Sequence, residues 1–172
     1  MPPFVLASEL LPGAYICLNT RSPLGKVVSW FCKSPYDHAI LVTGPDEIIQ
    51  ATVFGVRKGT LSQFKGRTAV ANAAEDMTAG QRDVAVTRAR GFLGDKYGFA
   101  TLLVIAARKL GFRHRWLLRF CDNRDVLICS ELVAFCGQAA GLDWLCGEAE
   151  PALVRPDELA GRKPFMRTVV WD

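Results

Sequence analysis

The apolar residues of this chain change period part-way along it, and that change limits the folds open to it. In the first half they fall in short runs: AYICL at 14–18, HAILVTG at 38–44, EIIQATVFGV at 47–56 and RTAVANA at 67–73. The runs are separated by turn chemistry such as Pro12-Gly13 and Gly44-Pro45-Asp46, and they read as strands, the second and third as a hairpin. One helical stretch, LGKVVSWFC, opens after Ser22-Pro23. From Thr78 onward the period becomes helical. Thr78 with Gln81 three residues later forms a capping box, and the helix it starts runs to Leu93 and stops at Gly94. Further helices are expected over Phe99–Leu110 and from Cys129 to near Gly141, with a short turn at Asp157–Ala160 and a closing strand MRTVVW. Strands followed by helices predict an α+β fold, a small antiparallel sheet packed against helices.

A chain of 172 residues without linker or repeat reads as a single domain, residues 1–172, long enough to bury a proper core. Half of the residues are hydrophobic and 22% are charged, which excludes a disordered or low-complexity chain. The net charge of +4 permits an anionic partner without demanding one. Six cysteines, at 17, 32, 121, 129, 136 and 146, include no C-x-x-C pair, and the histidines are only two, His38 and His114. No zinc site of ordinary spacing follows, so neither metal nor cofactor is expected. The start has no basic segment of a secretory signal, and the longest apolar stretch, Phe99–Ala107, falls short of the roughly 18 residues of a membrane span. Reduced thiols in a cytoplasmic protein are the expectation.

Four residues carry candidate chemistry. Cys129 stands where the strand-like DVLI gives way to a helical pattern. A thiol at a helix N-terminus faces unpaired N–H groups and the positive end of the dipole, which lowers its pKa and favours the nucleophilic thiolate. Cys136, seven residues on, reads as a buried small hydrophobe. A thiol nucleophile needs a base, and imidazole suits the task. His38 heads a strand after a Pro-Tyr-Asp entry, whereas His114 lies among arginines in FRHRW. Gln50 is the polar interruption of the next strand. His38, Ile40 and Val42 share one strand face, and Ile48, Gln50 and Thr52 another. A loop of odd length puts both sets on the same side, and an even loop flips them. The Gly-Pro-Asp turn is compatible with three residues. Tyr97 reads equally as a phenol donating to an oxyanion and as an amphipathic aromatic at the core edge.

The order His38, Gln50, Tyr97, Cys129 resembles the circularly permuted papain-fold family, permuted relatives of NlpC-type cell-wall peptidases that are distantly similar to lecithin:retinol acyltransferase. SPYDHAIL matches the family's histidine strand, IIQATVFGV the strand after it, GDKYGF its tyrosine element, ICSELV its nucleophile helix and RPDEL a late element. The match runs from about Leu11 to Leu159. Gln50 departs from the Glu or His often found there, and Pro12-Gly13-Ala14 from the usual Pro-Gly-Asp.

The resemblance implies a cysteine hydrolase or acyltransferase that cleaves an amide or ester through a thioester. Cys129 is the nucleophile, His38 the base, Gln50 the group that orients it and Tyr97 an oxyanion donor, and the substrate is a peptide, a peptidoglycan-type peptide or a lipid-linked group. A backbone N–H of Cys129 or Ser130 is a further oxyanion donor. The rival expectation is a catalytically weak or inactive lipid- or protein-binding module on the same fold. Residues 99–120 combine an apolar helix with Arg108, Lys109, Arg113, Arg115 and Arg119 and with Trp116 and Phe120. That stretch makes an anionic membrane surface a candidate partner. Nucleic acid is not expected at so modest a charge.

Overall fold

The computed structural model describes residues 4–98, 126–142, 144, 154–161 and 166–172. The expected helix Phe99–Leu110, the basic-aromatic stretch 99–120, His114, Cys121 and Cys146 lie outside the described residues. Nine strands and four α-helices occur among those described: β1 Phe4–Leu6, β2 Tyr15–Leu18, α1 Pro23–Cys32, β3 His38–Gly44, β4 Glu47–Thr52, β5 Gly55–Thr60, β6 Ala69–Asn72, α2 Ala79–Gly91, β7 Lys96–Tyr97, β8 Val126–Leu127, α3 Cys129–Ala139, α4 Pro156–Ala160 and β9 Met166–Val170. The chain is α+β, with a mostly antiparallel sheet packed against helices.

The sheet is larger than the small one that the sequence pattern suggests. Seven strands run in the order β1-β9-β6-β2-β3-β4-β5, and only the β1–β9 pair is parallel. β7 and β8 form a separate parallel pair. The run EIIQATVFGV, read from sequence as one strand, is two: β4 and β5 are joined by a turn at Val53 and Phe54. Gly55 makes the break, because its φ of 95° lies where side-chain-bearing residues are strained. A side chain there would also strike the Asp95 carbonyl, which accepts from the Val56 N–H.

The β3–β4 connection decides which side chains share a face. The turn holds two residues, Pro45 and Asp46, instead of the expected three. A two-residue loop alone would put His38 and Gln50 on opposite faces. A β-bulge between Val42 and Gly44 takes up one residue, so Gly44 pairs with Glu47 while Val42 pairs with Ile48 and Leu41 with Ile49. The bulge restores the register in which His38 and Gln50 lie on one face.

The sheet interior is mostly apolar. Tyr15, Ile16, Leu18, Ile40, Leu41, Ile48 and Ile49 are buried, as are Ile128, Leu132 and Val133 at the start of α3. α3 packs across β3 and β4 and against α2, and α4 packs against β2. The Thr78–Gln81 capping box that opens α2 is present in both directions. Among the described residues, no helix is long and apolar enough to cross a membrane.

Candidate active site

Cys129 is the first residue of α3 and is 4% exposed. Its surroundings follow from strand alternation. In β3, Val42 bonds through both its N–H and its C=O to Ala14 and Gly13, the residues that lead into β2, so the backbone of every second residue faces the β2 side and that of Ala39 faces β4. The β3–β4 ladder begins at Leu41↔Ile49, and Gln50 to Thr52 pair with β5. The Ala39 N–H therefore points into the opening between β3 and β4, where it donates to the Cys129 thiol. The N–H groups of Ser130 and of Cys129 itself add to it. These are the unpaired donors of the helix start.

The thiol is nevertheless not acidified, contrary to the expectation from its helix position. Burial pushes the Cys129 pKa up to about 11, and the three backbone donors lower it only in part. Desolvation of the thiolate outweighs the helix terminus here.

His38, the residue before Ala39, opens β3 and is buried. Its Nε2 lies 3.0 Å from Oε1 of the buried Gln50. An amide oxygen only accepts, so Nε2 carries the hydrogen and Nδ1 is left as the basic nitrogen. The Phe64 ring lies 6.2 Å from the imidazole, centroid to centroid. Burial lowers the His38 pKa, while the Gln50 hydrogen bond and the nearby Asp37 oppose that shift. Thiol and imidazole are thus both neutral at rest. No hydrogen bond joins them among the described contacts; the thiol is held by backbone N–H groups and the ring by Gln50.

Tyr97 is the Cα partner of Leu127, two residues ahead of Cys129. It is part-buried and packs against the core. Burial, and after it the fields of Cys129 and Glu131, raise its pKa strongly, so it remains a neutral donor. The structure thus joins His38 to Gln50, sets Cys129 against the backbone of the residue after His38, and places Tyr97 within electrostatic reach of Cys129.

Three residues here escaped the sequence reading. Asp37 is buried, accepts from the Thr20 N–H at 2.9 and 3.2 Å, and acts electrostatically on both His38 and Cys129. Its signal was its place directly ahead of the histidine strand. Cys17 on β2 is the cross-strand partner of Ala39 and interacts with Cys129. Nothing in an apolar strand marks it.

Glu131 is the third. It is 2% exposed, and its carboxyl oxygen accepts from the Ile128 N–H at 2.8 Å. Burial raises its pKa from 4.5 to about 8. The folded protein therefore holds a proton that the unfolded chain releases above about 4.5. The associated stability is fully present below that pH and is lost as pH rises toward 8, on the order of a few kcal/mol. Glu131→Gln keeps an oxygen for Ile128 and removes the titration. We expect it to flatten the fall in urea midpoint between pH 5 and pH 8.5.

The comparisons bear on this arrangement at the level of fold. No protein-family model matches the chain, and no curated protein does. Among solved structures it is similar to the crystal structure of metalloprotein yiiX from Escherichia coli O157:H7 (DUF1105). The TM-score is 0.65 at 18% identity, over 95% of this chain and 99% of that one. The likeness is one of fold.

Proposed function

We propose that this protein is a cysteine hydrolase or acyltransferase of permuted papain-like, NlpC-type fold, acting on an amide or ester of a peptide, a peptidoglycan-type peptide or a lipid-linked group. The observation that carries the reading is one juxtaposition. The Cys129 thiol at the start of α3 takes its donor from the backbone of Ala39, and the adjacent residue, His38, has its ring fixed by Gln50.

In this reading Cys129 Sγ attacks the carbonyl carbon as its proton passes to His38 Nδ1. Because both groups rest neutral, transfer accompanies attack and no ion pair is formed beforehand. The carbonyl π electrons move to oxygen, where the Ser130 and Ala39 N–H groups and the Tyr97 hydroxyl are the nearby donors. Collapse expels the leaving amine or alcohol with the proton from His38, and a thioester remains. Water or a second nucleophile then releases the acyl group and restores the thiol. The yiiX protein carries the name metalloprotein. Among the described residues here no group of three or more His, Cys, Asp and Glu side chains is placed to hold a metal ion, and no step runs through one. An anionic membrane surface stays a proposed partner through residues 99–120.

Gln50 tests the reading. With p-nitrophenyl acetate as acyl donor, Gln50→Ala should slow acetylation of Cys129 about tenfold to a hundredfold, the scale of a misplaced catalytic group. Gln50→Glu should retain or raise the rate, because a carboxylate orients the ring and favours imidazolium. Equal rates in all three proteins would instead favour a binding module that keeps the fold, a role consistent with a resting thiol at about 11.

A further inference from the structure

Gln50 is held from a side that its own contacts do not reveal. Gly59 on β5 pairs with Ile48, and Gln50 pairs with Arg57, so Gly59 lies diagonally across from Gln50 on the same face of the sheet. A Cβ added at Gly59 would stand 2.8 Å from Gln50 Nε2 and 2.7 Å from Gln63 Nε2. Both distances are shorter than packed side chains tolerate. The amide of Gln50 therefore occupies the space that any side chain at 59 would fill, with Nε2 over Gly59 and Oε1 at the imidazole.

We infer that Gly59 is a positioning residue for the base. Its missing side chain is the seat that turns the Gln50 amide oxygen toward His38 and so sets the tautomer in which Nδ1 is basic. The inference rests on the reading of His38 and Gln50 as base and orienting group, and it extends that machinery to β5. The groups a methyl would meet are the free ends of two flexible side chains, so the fold absorbs it by moving them. A strand glycine replaced by alanine also lowers the entropy of the unfolded chain. Gly59→Ala should therefore fold as well as the parent or better, yet hold its imidazole less well. A residue serving structure alone would show the two changes together.

The test uses the full chain labelled with 15N in its two histidines, the His38 signals being identified by their loss in His38→Ala. In the parent protein His38 should be dominated by the Nε2–H tautomer. In Gly59→Ala that dominance should be lost, acetylation by p-nitrophenyl acetate should fall about tenfold or more, and the melting temperature should hold. Placed in a Gln50→Ala background, Gly59→Ala should change the rate no further. Gly80→Ala, where an added Cβ meets nothing within 4 Å, should leave both readouts at parent values. A parent-like tautomer and rate in Gly59→Ala would overturn the inference, as would an undiminished effect in the Gln50→Ala background. A parent protein with no Nε2–H preference would overturn the orienting pair itself, a failure visible before any variant is made.

Discussion

His38→Ala is expected to slow acylation of Cys129 by about 10²–10⁴-fold, the usual contribution of a positioned general base. The dependence should be steep because the thiol cannot ionise unaided. At about 11, only about one thiol in ten thousand is thiolate at pH 7. Nδ1 of His38, left basic by the Nε2–Gln50 bond, is the acceptor that relieves this shortage at the moment of attack. The variant leaves the Gln50 oxygen buried without its partner, which costs about 1–3 kcal/mol. Release of p-nitrophenolate gives the rate, and thermal melting by circular dichroism shows that the fold is retained. Raising the pH should restore rate to His38→Ala more than to the parent, since ionising the thiol replaces the base.

Cys129→Ala is expected to remove acyl-enzyme formation altogether. Alanine is a good residue for the first turn of a helix, and the deleted sulfur is small, so α3 should hold. Cys136→Ala is the matched control. Cys136 lies on the same helix, is fully buried and has its pKa pushed up to about 12, but it sits mid-helix, away from the opening between β3 and β4. Acylation measured by intact mass after a pulse of p-nitrophenyl acetate should vanish in Cys129→Ala and persist unchanged in Cys136→Ala.

Local patterns made much of this site legible. The Thr78–Gln81 box marked the start of α2, and the shift from DVLI to a helical period marked that of α3. The alternation of HAILVTG and EIIQATV set His38 and Gln50 on definite strand faces, but the sequence left open whether those faces agree. The turn is two residues long, the length that would have parted them, and the bulge between Val42 and Gly44 brings them together. A bulge of that kind has no signature in a run such as LVTG.

The thiol went the other way. A helix N-terminus argues for a low pKa, and the sequence does not show that the folded chain buries the sulfur, which leaves Cys129 4% exposed and its thiolate desolvated. Asp37, Glu131 and Gly59 were hidden for a related reason. Asp37 and Gly59 act on residues of other elements, Thr20 and Cys129 for the first and Gln50 for the second, and Glu131, though it caps nearby Ile128, matters through a burial that only the folded chain creates. The split of 47–56 into β4 and β5 turned on Gly55, whose positive φ and close approach to Asp95 belong to the folded chain.

The most direct measurement is a peptide map of the protein after a short pulse of p-nitrophenyl acetate at pH 7, for the parent and for His38→Ala. The account predicts acetyl thioester on Cys129 ahead of the other five cysteines, with that preference lost when His38 is replaced. Acetyl spread over the cysteines by their exposure, in the same pattern with and without His38, would contradict it.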